Sequence, residues 1–263
     1  MANPMQRVSL VGAGPGDPEL LTLKAHRLIS QADLILHDDL VPPAILALAS
    51  PHADVANVGK RCGAKGITQD EINSRMIAAA RRGLHVVRLH GGDPAIFGRL
   101  AEEVDALETA GVSFEVVPGI TAGSAAAAAL GLSLTDRRKS SRVIIVSGHR
   151  ATRSAPYDKT DWKEVAREDA TLVVYMPGSN FRPLRDELLA AGLSADIPAV
   201  IVSRAATPEQ QNRTATLGTL HELPHMDSPS VLLIGRALDR ARQRLEYAAA
   251  VAFEEADLLL SSL

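Results

Sequence analysis

Short runs of β-branched and other apolar residues alternate along the chain with longer stretches whose apolar positions recur at helical spacing. In the first half the runs are Val8-Ser9-Leu10-Val11, Leu34-Ile35-Leu36, Val86-Val87-Arg88-Leu89 and Phe114-Glu115-Val116-Val117. In the second half they are Val143-Ile144-Ile145-Val146, Thr171 to Tyr175, Ala199-Val200-Ile201-Val202 and Val231-Leu232-Leu233-Ile234. Near-continuous apolarity, in place of alternation, predicts strands buried on both faces, as in parallel or mixed sheets. Between them lie the helices. Asp17-Pro18 offers an N-cap and a first-turn proline for a helix carrying Leu20, Leu21, Leu23 and Leu28. Thr68-Gln69-Asp70-Glu71 reads as a capping box for a helix through Ile72, Met76 and Ile77, stopped by Gly83. A further helix runs from Arg99 to Ala110, with Leu100, Val104 and Leu107 on one face. Alternating strands and helices predict an α/β protein.

The polar stretch Thr135 to Ser141 is the best linker. It separates an N-terminal α/β domain, 1–135, which carries glycine-rich loops, from a C-terminal α/β domain, 142–245. Residues 246–263 are read as a tail, either helical or disordered, and Arg150 to Asp161 as a loop excursion. A length of 263 residues suits this division, since domains average about 150 residues. Hydrophobic residues at 46% and charged residues at 22% exclude wholesale disorder. A net charge of -3 and 3% aromatics argue against a nucleic-acid platform of basic patches and stacking rings. The single cysteine, Cys62, cannot close an intrachain disulfide or build a cysteine zinc site, which favours a reducing compartment. Met1 to Arg7 lacks the apolar core of a signal peptide. The most apolar stretch, Ile120 to Leu134, is shorter than the roughly 20 residues a bilayer needs. The expectation is a cytoplasmic protein with no membrane partner.

Three glycine-bearing turns follow apolar strands: Gly12-Ala13-Gly14-Pro15-Gly16-Asp17-Pro18, His90-Gly91-Gly92-Asp93-Pro94-Ala95-Ile96-Phe97-Gly98-Arg99 and Val117-Pro118-Gly119-Ile120-Thr121-Ala122-Gly123. The first invites a dinucleotide reading, and Asp38-Asp39 even ends the second strand where a ribose-binding acid would sit. The spacing opposes it. Asp17 stands where the third glycine is required, and a carboxylate there repels a pyrophosphate. Pro15 and Pro18 each remove an N–H donor from that loop. There is no Walker A sequence. Loops at the carboxyl ends of neighbouring strands would meet on one sheet edge, where open α/β proteins bind ligands. Glycines there let main-chain groups approach closely, and the lack of a phosphate-gripping lysine or serine points to a non-phosphorylated ligand. Lys60-Arg61 lies in a glycine frame, Val58-Gly59-Lys60-Arg61-Cys62-Gly63, and is read equally as a solvated pair or as a partner of the Asp38-Asp39 strand end. The eight histidines show no metal-ligand spacing and are read mostly as surface or loop residues. No nucleophile elbow or triad signature occurs.

Together these blocks resemble the tetrapyrrole (corrin/porphyrin) methylase family from about Val8 to Arg236. The resemblance rests on VGAGPGDPELLTLKA, HDDLV, VGKRCG with TQDEIN, RLHGGDPAIFGR, VVPGITA, VSGHR, LVVYMPGS and SPSVLLIG. It is similar within that family to the members that act on uroporphyrinogen III. The resemblance implies a homodimer of two-domain α/β subunits with a ligand cleft between the domains, a fold unlike the Rossmann-like methyltransferases. It implies S-adenosyl-L-methionine (SAM) as cofactor, S-adenosyl-L-homocysteine as product and no metal. Methyl groups would be added at C2 and C7 of uroporphyrinogen III to give precorrin-2, for sirohaem, cobalamin or haem d1 biosynthesis.

Carried over by position, the cofactor contacts resemble Pro15, Gly91, Gly92, Asp93, Ile96, Thr121, Ala122, Met176, Ala205 and Ser230. The family's proton acceptor and donor correspond to Asp38 and Lys60. The chain departs from the pattern at His37, Asp39, His90, Ala95 and Ala205. Asp39 beside Asp38 is expected to raise a carboxylate pKa. A polycarboxylate substrate calls for guanidinium forks, and Arg61, Arg99, Arg137, Arg138 and Arg150 are the candidates. The competing readings are a methylase for a later precorrin, a non-catalytic tetrapyrrole carrier, an NAD-dependent dehydrogenase and an RNA methyltransferase.

Overall fold

The structure, a computed structural model, describes residues 8–59, 67–148, 160–240 and 243–244. Lys60, Arg61, Cys62, Arg150, most of the Arg150–Asp161 excursion and the 246–263 tail lie outside the described residues. The chain divides into two compact units between Ala122 and Gly123.

The first unit is built on a five-stranded, wholly parallel sheet: β1 (Val8–Gly12), β2 (Leu34–His37), β3 (Asp54–Asn57), β4 (Val86–His90) and β5 (Phe114–Val117), in the order β3-β2-β4-β1-β5. β1 and β4 are buried along their whole length, as continuous apolar runs require. One face packs on α1 (Leu23–Ser30) and α2 (Pro43–Leu46), through Ala25, Leu28, Ile29 and Ile45 against Val11, Ile35, Val87 and Leu89. The other packs on α3 (Gln69–Arg81) and α4 (Leu100–Thr109), through Ile72, Met76, Ala80 and Leu107 against Val8, Leu10, Leu36 and Val86. Because side chains alternate along a strand, Arg88 and His90 share the α3/α4 side of β4 with Val86. That side is where they meet their partners.

The second unit carries the helix α5 (Ala122–Ala129) and a mixed sheet of β6 (Arg142–Ser147), β7 (Ala170–Tyr175), β8 (Pro198–Ser203), β9 (Gln211–Thr216) and β10 (Ser230–Ile234), in the order β6-β7-β10-β8-β9. Only the β6–β7 pair is parallel. The short α6 (Trp162–Val165) and α7 (Arg182–Ala190), with Phe181, Leu184 and Leu188, cover Leu172, Val174, Ile201 and Leu232 on one face. On the opposite face, Gly123 lets the start of α5 lie against Val173, and its N–H donates to Tyr175 Oη at 2.8 Å.

That contact explains why the division falls at the start of α5, between Ala122 and Gly123, whereas a linker is predicted at Thr135 to Ser141. The polar stretch is instead a tight turn. Asp136 and Ser140 exchange two main-chain hydrogen bonds of 2.9 and 2.7 Å, and Ser141 N–H donates to Asp169 O.

All eight predicted strands form. The pattern missed β3 and β9, whose sequences DVAN and QNRTAT are too polar to register; both are edge strands. β6 departs from the expectation of double burial, because it is an edge strand with Val143 and Ile145 exposed. The capping box is present at α3, with Thr68 and Glu71 satisfying each other's main-chain N–H groups, and Gly83 follows in the left-handed region.

The Asp17 helix is a correction. Asp17 caps only a single 3-10 turn, Pro18–Leu20, after which Leu21 is extended. Thr22 is the true N-cap of α1, its hydroxyl accepting from Ala25 N–H at 3.1 Å, and Leu23 points to solvent at 92% exposure. Thr22→Ala should therefore lower the unfolding free energy by about 1 kcal/mol, whereas Asp17→Ala should cost clearly less; urea denaturation of both variants checks the difference.

Candidate functional site

In the first unit β1, β4 and β5 are parallel neighbours, so their carboxyl ends and the three glycine loops share one edge. The loops touch main chain to main chain. A Cβ on Gly12 would stand 2.5 Å from Gly119 N and 2.7 Å from Gly92 O, and one on Gly119 would strike the same Gly92 oxygen. Gly14 and Gly92 exchange N–H···O bonds of 3.1 and 2.8 Å. Asp93 ties the arrangement together: Oδ1 accepts from Ala95 N–H at 2.8 Å and Oδ2 from Gly119 N–H at 3.0 Å. This carboxylate, of a residue read from the sequence as a ligand contact, braces two of the loops.

Gly92 lies at φ +73°, a left-handed conformation that side chains rarely adopt. Among the described residues, a Cβ there would meet only Ala122 N at 3.9 Å and Thr121 Cα at 4.0 Å within 4 Å. Pro15, Gly91, Gly92, Asp93, Ile96, Thr121 and Ala122 are therefore gathered around one strand edge, as the sequence predicts. None of these loops carries a lysine. Main-chain groups, small residues and open room fit a neutral, non-phosphorylated ligand such as an adenosyl group.

Asp38 follows β2, two strands from β1, its N–H donating to Leu89 O. It belongs to a closed ring of four ionisable side chains. Arg88 Nη2 meets Asp38 Oδ1 at 2.5 Å, and Arg88 Nε donates to Glu103 Oε1 at 2.9 Å. His90 Nε2 lies 2.8 Å from Glu103 Oε2, and His90 Nδ1 lies 3.4 Å from Asp38 Oδ2. Arg88 Nη1 donates to Leu36 O and Leu89 O, and Gln69 Nε2 donates to Glu103 Oε1. Glu103 and His90 are fully buried and Arg88 nearly so, while the Asp38 side chain keeps 29% exposure. Asp38 is the open corner of the ring.

Burial by itself pushes the Asp38 carboxyl upward, but the adjoining His90 and the Arg88 charge outweigh it and hold the group well below the usual carboxylate range. Glu103 follows the same pattern, burial raising it and His90 and Arg88 lowering it to a net depression. For His90 burial favours the neutral ring, yet Asp38 and Glu103 prevail and raise its pKa. This overturns the expectation that Asp39 raises the Asp38 pKa. The Asp39 carboxylate is engaged elsewhere, accepting from Asn57 Nδ2 of the neighbouring β3 at 3.0 Å. The view of the histidines as surface residues fails for His37, which is buried, and for His90.

Arg88 and Glu103 were missed in the sequence. The signal was present: Arg88 interrupts an apolar strand, and Glu103 stands on the helix stripe that carries Leu100, Val104 and Leu107.

Of the arginines, Arg99 grips Glu102 with two bonds of 2.7 and 2.5 Å, and Arg138 grips Asp136 with two of 2.9 and 2.6 Å. Arg137 is exposed and, with Arg138, belongs to the second unit.

In that unit Met176 and Ala205 follow β7 and β8, and Ser230 opens the antiparallel β10 between them. All three therefore share one edge of the second sheet. Met176 is half exposed at φ +49°, and Ala205 is nearly buried between Arg204 and Ala206, both at positive φ. Among the described residues, no group of three His, Cys, Asp or Glu could hold a metal ion, and no helix is long and apolar enough to cross a membrane.

A family model for tetrapyrrole (corrin/porphyrin) methylases matches residues 7–221. The chain is 45% identical over 213 residues to a uroporphyrinogen-III C-methyltransferase of Paracoccus denitrificans, covering 81% of this chain and 74% of that protein. It is 42% identical over 237 residues to siroheme synthase 1 of Yersinia enterocolitica, covering 90% of this chain and 50% of that protein. The chain thus spans about half the length of the siroheme synthases it matches. Among solved structures, it resembles the uroporphyrin-III C-methyltransferase of Thermus thermophilus complexed with S-adenyl homocysteine. The TM-score is 0.75 and the identity 39%, over 89% of this chain and 93% of that one.

Breaking a buried ion pair leaves an uncompensated charge, at a cost of about 3–5 kcal/mol. Arg88→Met should accordingly destabilise the first unit by about that amount, read as a lowered urea midpoint. In the wild type, the depressed Asp38 and Glu103 contribute stability above their unfolded values of 3.8 and 4.5. That stability should be lost as the pH falls through and below this range, and Arg88→Met should flatten the loss.

Proposed function

The chain belongs to the tetrapyrrole (corrin/porphyrin) methylase family, and we propose that it is a SAM-dependent C-methyltransferase acting on uroporphyrinogen III. Methylation at C2 and C7 gives precorrin-2, for sirohaem, cobalamin or haem d1 biosynthesis. The observation that carries this reading is the meeting of three glycine loops at one parallel-sheet edge, two strands from an anionic Asp38. The relatives' names support the substrate class.

SAM, when bound, would supply an electrophilic methyl group on a sulfonium, with the neutral thioether S-adenosyl-L-homocysteine as the leaving group. Pro15, Gly91, Gly92, Ile96, Thr121 and Ala122 hold the cofactor through main-chain atoms and small surfaces, with Asp93 bracing their loops. Met176, Ala205 and Ser230 are assigned to the same cofactor. Placing the acceptor carbon in line with the methyl group lets positioning supply up to about 7–11 kcal/mol of barrier lowering.

A pyrrole ring whose carbon takes the methyl group becomes cationic, the charge spreading to the ring nitrogen, until the macrocycle loses a proton. The Asp38 carboxylate, fixed by Arg88 and held ionised, stabilises that charge. Alternatively it takes the proton that the methylated macrocycle loses, the role of the family's proton acceptor. Lys60 protonates an exocyclic position or holds a substrate carboxylate. Arg61, Arg99, Arg137, Arg138 and Arg150 are the proposed carboxylate partners; Arg99 and Arg138 must release Glu102 and Asp136 to serve. The protein is proposed to act as a cytoplasmic homodimer, a reading supported by the lone cysteine and by the family resemblance.

Anaerobic incubation with uroporphyrinogen III and SAM should give a product heavier by two methyl groups; no methylated product would sink the reading, and methylation only of a later precorrin would replace it. Asp38→Asn and Lys60→Ala should leave SAM affinity intact and slow turnover about 10²–10⁴-fold, as single-turnover assays can read. Gly92→Val should abolish SAM binding by calorimetry on the folded variant, because a β-branched side chain at φ +73° both strains the turn and fills the open space.

A further inference from the structure

We propose that His90 is a positioning residue for Asp38: as an imidazolium anchored by Glu103, it closes the ring that keeps the Asp38 carboxylate anionic and fixed in orientation. The inference rests on the reading of Asp38 as the group that faces the substrate.

The geometry begins with β4, whose period of two places Arg88 and His90 side by side on one face of the sheet. α4 delivers Glu103 to both of them, and the end of β2 delivers Asp38 to both. Each carboxylate therefore presents one oxygen to the guanidinium and one to the imidazole.

Among the described residues, the charged groups facing His90 are Asp38 from the end of β2, Glu103 from α4 and Arg88 from its own strand. From α3 come only the neutral amides of Gln69, which donates to Glu103, and Asn73, which is bound to Gln69 and to Glu102 O. With two carboxylates and one guanidinium, the ring is balanced only if the imidazole carries the second positive charge. A neutral imidazole has one N–H. If that N–H is at Nε2, directed to Glu103 Oε2, Nδ1 turns a lone pair toward Asp38 Oδ2, and the buried ring is left with a net negative charge. An imidazolium presents an N–H to both acids.

Nδ1 is fully buried, and it has no aligned hydrogen-bond partner among the described residues. The 3.4 Å approach to Asp38 is therefore electrostatic and free to tighten. The raised His90 pKa agrees with this arrangement.

Loss of the His90 proton has defined consequences. Asp38 would keep Arg88 but lose its second anchor, so its proton affinity would rise and its carboxylate could pivot about the Arg88 contact. For stability the sign follows from the raised folded pKa. The contribution is complete below the unfolded value of 6.5 and disappears as the pH rises through the higher folded value.

The experiment uses full-length protein with nitrogen-labelled histidine and carbon-labelled aspartate, as wild type, His90→Asn, His90→Lys and Glu103→Gln. In the wild type both His90 nitrogens should be protonated near neutral pH, and the thermal midpoint should fall on the alkaline side as the ring deprotonates. Glu103→Gln keeps the hydrogen-bonding atoms and removes one charge, so it should move the His90 titration to lower pH by about one unit or more. His90→Asn should raise the Asp38 carboxyl titration and lower kcat about tenfold, a fraction of the roughly 10²–10⁴ assigned to acid–base groups, with KM for SAM unchanged. His90→Lys keeps the cation across the range and should restore the rate while removing the alkaline fall of the thermal midpoint.

A neutral His90 in the wild type near neutral pH would overturn the proposal. So would an Asp38 titration unmoved in His90→Asn, or a His90 titration unmoved in Glu103→Gln. If His90→Asn does not fold, the Glu103→Gln shift decides. Wild-type protein that fails to methylate uroporphyrinogen III would refute the functional reading alone, because the nitrogen and carboxyl titrations still judge the ring.

Discussion

Two carboxylates at the rim of an apolar sheet can remain ionised only if cations are buried with them. The pairing of Asp38 and Glu103 with Arg88 and His90 meets that condition. Isolated, either acid would take up a proton in preference to losing its hydration. The guanidinium suits the position because its planar fork reaches both acids while its remaining N–H groups donate to Leu36 O and Leu89 O. A lysine there could not reach both acids and both carbonyls at once. The ring also joins elements distant in sequence, since β2, β4 and α4 each contribute to it. Its anionic corner is thereby tied to the core of the sheet.

A second constraint works through the absence of side chains. Gly12, Gly92 and Gly119 lie so close that any Cβ at the first or third would overlap main chain. The loops consequently present peptide groups where other proteins present side chains. Peptide groups carry no net charge, so the edge favours a ligand that is itself uncharged where it is held. In the proposed reaction the stabilising charge would come from two strands away, from Asp38. Binding and charge stabilisation are thus assigned to different strand ends of one sheet, and a change at one can leave the other intact.

The sequence made eight strands legible because burial leaves long apolar runs, and it made α3 legible through its capping box and α4 through its apolar stripe. It failed where a signal was local but its partner was not. Asp17-Pro18 has the residues of a helix start, yet the helix begins at Thr22, since Leu21 is extended and breaks the turn. The edge strands β3 and β9 carry polar residues because one side of each faces water. The gathering of Gly92, Asp93, Thr121 and Ala122 could be read from strand-loop grammar. The state of Asp38 could not, because its nearest neighbour in sequence, Asp39, turns to Asn57, while its electrostatic partners lie fifty or more residues away. A lone arginine inside an apolar strand and a lone glutamate on an apolar helix stripe were the visible traces of that network. Read as a pair, they announce each other.

Exposure also separates the ion pairs by what they can do. Arg99 and Glu102 are about half exposed, and such pairs contribute about 0–1 kcal/mol. A carboxylate arriving from solution can displace Glu102 at little cost, since the guanidinium exchanges one acid for another of the same geometry. Arg88 has no such freedom. Glu103 is fully buried, Nη1 is bound to main chain, and releasing Glu103 would strand a charge out of reach of water. Arginines that look alike in the sequence therefore divide into exchangeable and fixed. For a substrate with many carboxylates, recognition requires the first kind, while the constancy of the charge at Asp38 requires the second.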